Sequence, residues 1–223
     1  MIVVHHLENS RSQRILWLLE ELEVPHEVKV YKRDPMTMQA PAALRAIHTL
    51  GKSPIIVDGT ETVAESGAII EYLVRTHGQG RLQPGTGTPE RQRYTYWLHY
   101  AEGSAMPPLL LTLVLGRMRN GPMPFFARPI LRTAVDRVMQ PFVGPQLRLH
   151  LNYMEGELGK STWFAGEEFS AADIQMSFPV EAFRARGGLD EKWPRLMAWL
   201  GRIHARSAYQ RALDAGGPYT LLK

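Results

Sequence analysis

Gly51-Lys52-Ser53-Pro54-Ile55-Ile56-Val57-Asp58-Gly59-Thr60-Glu61-Thr62-Val63-Ala64-Glu65-Ser66-Gly67-Ala68-Ile69-Ile70-Glu71-Tyr72-Leu73 reads as a turn, a strand, a tight reversal, a second strand and a helix. Pro54 has no N–H to give to a sheet ladder, so it belongs at the first position of the strand Ile55-Ile56-Val57. Asp58-Gly59 is a two-residue hairpin signal, because both positions tolerate positive φ. Thr60 to Val63 then returns as the second strand. Ile69, Ile70 and Leu73 fall on one side of a helix, for which Ser66 is the expected N-cap. Two features point past structure. A cis bond at Ser53-Pro54 would turn the Ser53 amide and carbonyl outward, as an antiparallel partner for a peptide-like ligand. Roughly one X-Pro bond in twenty is cis, so the sequence alone favours trans. The free amides at the start of the Ser66 helix form a site for an anion such as a carboxylate. The plainer alternative leaves Ser66 as a cap and nothing more.

Upstream, Ile2 to Leu7 is a short apolar run with β-branched residues, a buried strand. Glu8-Asn9-Ser10 is turn chemistry. From Ser12 a helix begins, with Ile15, Leu16, Leu18, Leu19 and Leu22 apolar, and Val24-Pro25 stops it. Glu27 to Tyr31 alternates as a half-buried strand. Lys32 to Met38 is irregular, and Ala40 to Ile47 is a short helix candidate. The order β-α-β-α-β-β-α implies a parallel pair joined by a helix, plus an antiparallel hairpin. That is a thioredoxin-like layout, expected over residues 1–78.

Downstream, Gly78 to Pro89 is rich in Gly and Pro, and residues 79–89 mark a linker. Residues 90–223 are helical throughout. Glu90 to Gly116 is one long helix kinked at Pro107-Pro108. Arg119 to Pro124 is a loop. Phe125 to Val143 is an extra helical excursion interrupted by Pro129 and Pro141. Pro145 to Leu158, Trp193 to Ala205 and Ser207 to Ala215 are further helices. Ser170-Ala171-Ala172-Asp173 is a capping box with Asp in place of Glu. The fold class is thus α/β followed by all-α.

Composition closes off several functions. The chain has 223 residues, 44% hydrophobic and 22% charged, near the averages for soluble domains. Cysteine is absent, which excludes disulfides, thiolate metal sites and Cys nucleophiles. The redox Cys pair of a true thioredoxin has no counterpart in Asn9-Ser10-Arg11-Ser12. The eight histidines are scattered, and His5-His6 reads as a strand end, so no metal is expected. No run of eighteen apolar residues occurs, so no membrane is expected. No basic region precedes a long apolar core at the N-terminus, so a cytoplasmic protein is expected. The net charge of +4 carries no Lys/Arg block of five, so nucleic acid is not an expected partner.

The Lys-Ser-Pro turn, the hairpin and Glu-Ser opening a helix, in that order, resemble the glutathione-binding half of the glutathione S-transferases. The helical half strengthens the resemblance. Phe164-Ala165-Gly166-Glu167-Glu168-Phe169-Ser170-Ala171-Ala172-Asp173-Ile174 is similar to the family's loop and capping-box motif, where Ser170 and Asp173 would stabilise a core helix. Phe125 to Val143 is covered least. The resemblance implies that the Ser53-Pro54 backbone pairs with the cysteinyl unit of glutathione, that Glu65 and Ser66 hold its γ-glutamyl carboxylate, and that Lys52 approaches its glycyl carboxylate. It also implies a homodimer, and an enzyme acting on a small electrophile or, alternatively, a non-catalytic glutathione-binding or assembly module.

Glutathione transfer needs a thiolate, and a free cysteinyl thiol has a pKa near 8.5. Lowering it by ~2 units takes about 2.7 kcal/mol of preferential thiolate stabilisation. One charge-assisted hydrogen bond supplies about 1.5–3 kcal/mol, and a helix N-terminus up to about 1. One hydroxyl after the first strand therefore suffices. Tyrosine-type members carry a Tyr near the end of that strand. Here His5 and His6 stand there, so the chain resembles serine-type members. Counting back from Arg14, matched to the family's first-helix Arg, the resemblance places the catalytic donor at Ser10, with Ser12 and Asn9 as alternatives. Arg11 approaches the thiolate or a substrate carboxylate, or is a solvated surface residue. Arg14 and Arg45 read as structural ion pairs. The electrophile site falls by position between Leu7, the first turn of helix one and the kinked helix, with Tyr100, Met106 and Leu109 either lining it or serving as core. In the family, an acidic or polar residue at the Glu102 or Ser104 position reaches across the dimer to the γ-glutamyl amine.

Overall fold

β1 (Ile2–Leu7) is the axis of the N-terminal half. It pairs in parallel with β2 (His26–Tyr31) and antiparallel with β3 (Ile55–Asp58), which pairs antiparallel with β4 (Glu61–Ala64). The sheet order is β2-β1-β3-β4. The computed structural model describes residues 1–34, 36, 37, 39–217, 219 and 221; of the irregular Lys32 to Met38 stretch, Pro35 and Met38 lie outside the described residues. α1 (Gln13–Leu22) connects the parallel pair, and α2 (Ala43–Ile47) and α3 (Ser66–His77) complete this half. A parallel pair demands a crossover, which α1 supplies. Val4, Ile56, Ile15, Leu19, Ile70 and Leu73 are all buried where sheet and helices meet.

Three local expectations need correction. Asp58 pairs with Glu61, so the hairpin loop is Gly59-Thr60 and not Asp58-Gly59. Gly59 takes φ +60° while Thr60 stays out of the positive region, as in a type II′ turn. The N-cap of α3 is Glu65, at φ 74° and ψ 126°, and Ser66 is the first helical residue. The Ser53-Pro54 bond is cis, against the default.

The second half is helical: α4 (Pro89–Tyr100), α5 (Met106–Asn120), α6 (Arg128–Val138), α7 (Gly144–Glu157), α8 (Ala171–Ala182), α9 (Pro194–His204) and α10 (Ser207–Gly216). The expected kink at Pro107-Pro108 takes the form of a π turn just before it, Ala101–Ala105, between α4 and α5. Two prolines in succession clash with the carbonyls one turn back and withdraw two donors, and a wider turn relieves both. A second π turn, Met139–Val143, contains Pro141. Pro129 lies in the first turn of α6, where a missing N–H is harmless, and so opens that helix and does not interrupt it.

α8 is buried along its whole length and starts with the predicted capping box. The Asp173 carboxylate accepts from the N–H of Phe164 and Ser170, the Ser170 hydroxyl and Trp199 Nε1, at 3.0–3.2 Å. Burial pushes this carboxyl up to about 6, while the four donors pull the other way. α1 lies between the sheet and the helical half. Trp17 is fully buried, edge-on to Tyr209 at 5.1 Å and tilted on Phe169 at 5.6 Å. Arg206, stacked 3.8 Å above Phe169, closes the seam with a bidentate pair to Glu21 at 2.5 and 2.8 Å.

Candidate active site

β1 ends at Leu7, and the chain turns through Asn9, at φ 51°, into α1. That turn presents Ser10 and Ser12, and the two hydroxyls meet at 2.8 Å. The Ser12 N–H donates to Ser10 Oγ at 3.2 Å. Ser12 Oγ lies 2.8 Å from His6 Nδ1 and 3.2 Å from the Leu7 carbonyl. Ser12 is sealed at 0% exposure, whereas Ser10 keeps 6%. His6 is 2% exposed, and burial lowers its pKa to about 4, against a hydrogen bond to the Gly216 backbone and the field of Glu8, which raise it. His5 looks the other way, its Nδ1 2.9 Å from the Tyr31 hydroxyl. Among the described residues no group of three His, Cys, Asp or Glu could hold a metal.

Ser53 flanks this turn from the neighbouring strand. Its hydroxyl donates to the His5 carbonyl at 2.9 Å and accepts from the Leu7 N–H at 3.1 Å. The residue before Pro54 is thereby fixed against β1, next to the Ser10 turn. Beyond it, α3 opens at Ser66. Glu65 is exposed, Ser66 is 3% exposed, and no side chain caps the helix. The first amide that finds a partner within the helix is that of Ile69, on the Glu65 carbonyl at 2.9 Å. The N–H groups ahead of it are the unsatisfied donors every helix start offers. Lys52 stands exposed at the edge of this region.

Arg14 is buried and Arg11 half-exposed, and both are paired with the same carboxylate. Arg11 Nε donates to both Glu102 oxygens at 3.0 Å, and Arg14 Nη2 donates to the same carboxylate. Both guanidinium groups lie over the Phe178 ring, at 5.1 and 5.6 Å. Arg14 Nη1 also donates to the Gln175 carbonyl at 2.6 Å. Burial pushes the Glu102 carboxyl up, but the Arg14 and Arg11 charges and hydrogen bonds outweigh it, and the net shift is down. Glu102 sits in the π turn at Ala101–Ala105, so the widened turn delivers a carboxylate to the base of α1. Within its own chain the Glu102 carboxylate is engaged by Arg11 and Arg14. Arg45, expected in an ion pair, lies instead along the turn, its Cγ 2.5 Å from where a Cβ on Gly51 would stand. Tyr100, Met106 and Leu109 are 6%, 5% and 0% exposed and belong to the core, with the Tyr100 hydroxyl 2.5 Å from His150 Nδ1.

The structure therefore brings Ser10, Arg11, Ser53 and Pro54 to the end of β1, and Glu65 and Ser66 to the start of α3. Sequence reasoning passed over His6. A histidine in an apolar strand run, buried like its neighbours, needs a polar partner, and that was the available signal.

A thioredoxin-like sheet domain followed by an all-helical domain, with the hydroxyl turn after β1, is the architecture of a glutathione-using transferase. Comparison with known proteins agrees. Residues 10–76 match the family model for the glutathione S-transferase N-terminal domain, and residues 134–202 that for the C-terminal domain. Glutathione S-transferase 3 of Schizosaccharomyces pombe is 40% identical over 215 residues, covering 96% of this chain and 87% of the relative. Glutathione S-transferase 1 of Saccharomyces cerevisiae is 33% identical over 217 residues, covering 94% and 92%. Among solved structures, a glutathione S-transferase of Actinobacillus pleuropneumoniae superposes with a TM-score of 0.79 at 29% identity, covering 100% of this chain and 96% of that one. The chain belongs to the glutathione S-transferase family, a family of transferase enzymes with glutathione as co-substrate.

Proposed function

We propose that this enzyme activates the glutathione thiol at Ser10 and adds the thiolate to an electrophilic carbon. Ser10 Oγ stands at the mouth of α1, held by the Ser12 N–H at 3.2 Å, with its own proton able to turn to a sulfur. That observation carries the reading. Ser12 is a poorer donor, because its oxygen is sealed and already surrounded by His6, Leu7 and Ser10. Asn9 shapes the turn through its positive φ, and its carbonyl accepts from Arg33 at 3.3 Å. The Ser53 backbone ahead of Pro54 offers the peptide pairing for the cysteinyl unit. Ser66 and the first α3 amides take the γ-glutamyl carboxylate, supported by the helix dipole. Glu65, expected to share that carboxylate, is itself an acceptor-only anion and takes the neighbouring α-amino group instead, while Lys52 takes the glycyl carboxylate. Arg11, tied to Glu102, adds positive potential beside the thiolate.

The same thiolate can attack an O–O bond, so reduction of organic peroxides is a second activity of the site. We place the glutathione domain at residues 1–78, the linker at 79–89 and the helical domain at 90–223. The assembly is a homodimer in the cytoplasm. No described helix is long and apolar enough to cross a membrane. Ser10→Ala tests the reading: turnover of a chromogenic aryl halide should fall at least about tenfold with the melting temperature nearly unchanged. Unaltered turnover would reject Ser10.

A further inference from the structure

The hairpin of α5 and α6 turns apolar residues toward solvent. Phe126, Ile130, Ala134, Val138 and Phe142 are spaced by four and form one ridge along α6, from the loop before it to the π turn after it. Helical neighbours at that spacing stack on one face. All five are exposed, Phe126 at 66%, Ile130 at 73% and Phe142 at 59%. α6 rests on α5, yet Val135 is its only buried residue. An amphipathic helix of a closed core turns its apolar stripe inward; this one leaves most of it outside. The tip of the hairpin adds Phe125, which is 81% exposed. Phe125 and Phe126 are the two most exposed aromatic side chains among the described residues.

The charge around the ridge has one sign. From Arg117 to Arg148 stand six arginines and one acid, Asp136, with no lysine or glutamate. That surplus of five exceeds the net +4 of the whole chain, so the rest of the molecule is slightly acidic. All six arginines are exposed, and Asp136 is spent on Arg119 at 2.6 Å. A second copy of the chain is a poor cover, because a two-fold contact lays the patch on itself and sets arginine against arginine. An acidic protein would need a groove matched to the ridge; a fluid bilayer needs none. An anionic lipid surface suits both halves of the patch at once. Its head groups take the guanidinium groups, and its acyl boundary takes the projecting phenyl rings. We infer that the α5–α6 hairpin docks the enzyme on anionic membrane surfaces, with Phe125, Phe126 and the α6 ridge in the acyl boundary and the arginines at the head groups. The absence of a spanning helix among the described residues bears on crossing a bilayer; lying in its interface takes only an amphipathic helix and an apolar tip. The docking is independent of which hydroxyl activates the thiol.

The test is co-sedimentation of the full-length protein with vesicles of phosphatidylcholine alone, and with about 30% phosphatidylserine added, at about 0.1 M and about 0.5 M salt. Wild type should bind the anionic vesicles at least about tenfold more tightly than the neutral ones, and the higher salt should remove most of that advantage. Phe125→Ser combined with Phe126→Ser should weaken binding at least about tenfold. Arg128→Gln combined with Arg132→Gln should weaken binding to anionic vesicles about twentyfold, about fivefold per arginine. Wild type that fails to bind anionic vesicles would overturn the inference, and so would equal binding to the two lipids. Phenylalanine variants that bind as wild type does would overturn it as well. Wild type that ignores vesicles, while the double phenylalanine variant changes its molar mass in light scattering, would assign the face to a second copy instead. The lipid and salt comparisons need only wild type, so they stand should a variant fail to fold.

Discussion

The turn after β1 and the start of α3 face the same region and are built in opposite ways. Around Ser10 the hydroxyls are tied together: Ser12 N–H, Ser12 Oγ, His6 Nδ1 and the Leu7 carbonyl form one connected set. At Ser66 the helix opens with no side-chain cap and an exposed Glu65. The difference is chemical. Moving a proton to a defined place requires groups with few alternatives, which a connected network enforces. Binding a carboxylate requires donors still unspent, which a bare helix start supplies. Where the carboxylate is a fixture of the fold, at Asp173, the same first-turn geometry is filled from within.

Substitutions should separate these three arrangements. The largest effect falls on the structural one. Asp173→Ala strips partners from Phe164 N–H and Trp199 Nε1 as well as the cap, so it should cost about 3–5 kcal/mol in denaturant unfolding. The specific activity of the folded fraction should hold. A loss near 1 kcal/mol would reduce Asp173 to a simple cap.

The hydrogen-bonded turn should announce itself in the pH dependence of stability. The folded-state pKa of His6 is lowered from 6.5 to about 4 by burial. Stability from this group is therefore complete above pH 6.5 and is lost as pH falls toward 4, because the unfolded chain binds the proton first. Over that window wild type should lose about 3 kcal/mol more than His6→Asn. Parallel curves would mean that the ring takes up its proton in place.

The open helix start should give the smallest and most selective effect. Ser66→Ala should raise KM for glutathione about tenfold, the lower end of the worth of one hydrogen bond to a charged group, and leave kcat almost intact. A fall in kcat without a change in KM would place Ser66 in the chemistry and erase the distinction between the two ends.

Much of this was legible in the sequence, because the signals were backbone ones. Pro54 and Gly59 marked the hairpin, Ser170 and Asp173 the buried helix, and the apolar periodicity of Ile15 to Leu22 the crossover. The hairpin still came out one residue later than Asp-Gly suggested, since register is fixed by pairing across the sheet with β1 and not by the loop alone. The π turn at Ala101–Ala105 was out of reach, although Pro107-Pro108 announced a disturbance, because the chain can answer two prolines by kinking or by widening. The site was legible as residues but not as protons. Ser10, Ser12 and Asn9 all carry donors; only the burial of Ser12 against His6 Nδ1 and the Leu7 carbonyl shows which hydroxyl is already engaged.

The most direct measurement is the ultraviolet difference spectrum of bound glutathione against pH, for wild type and Ser10→Ala. A thiolate band that titrates well below pH 8 in wild type and shifts upward in Ser10→Ala is the expected result. Bound glutathione showing no thiolate band near neutrality in wild type would contradict an activating site and leave a protein that only binds the peptide.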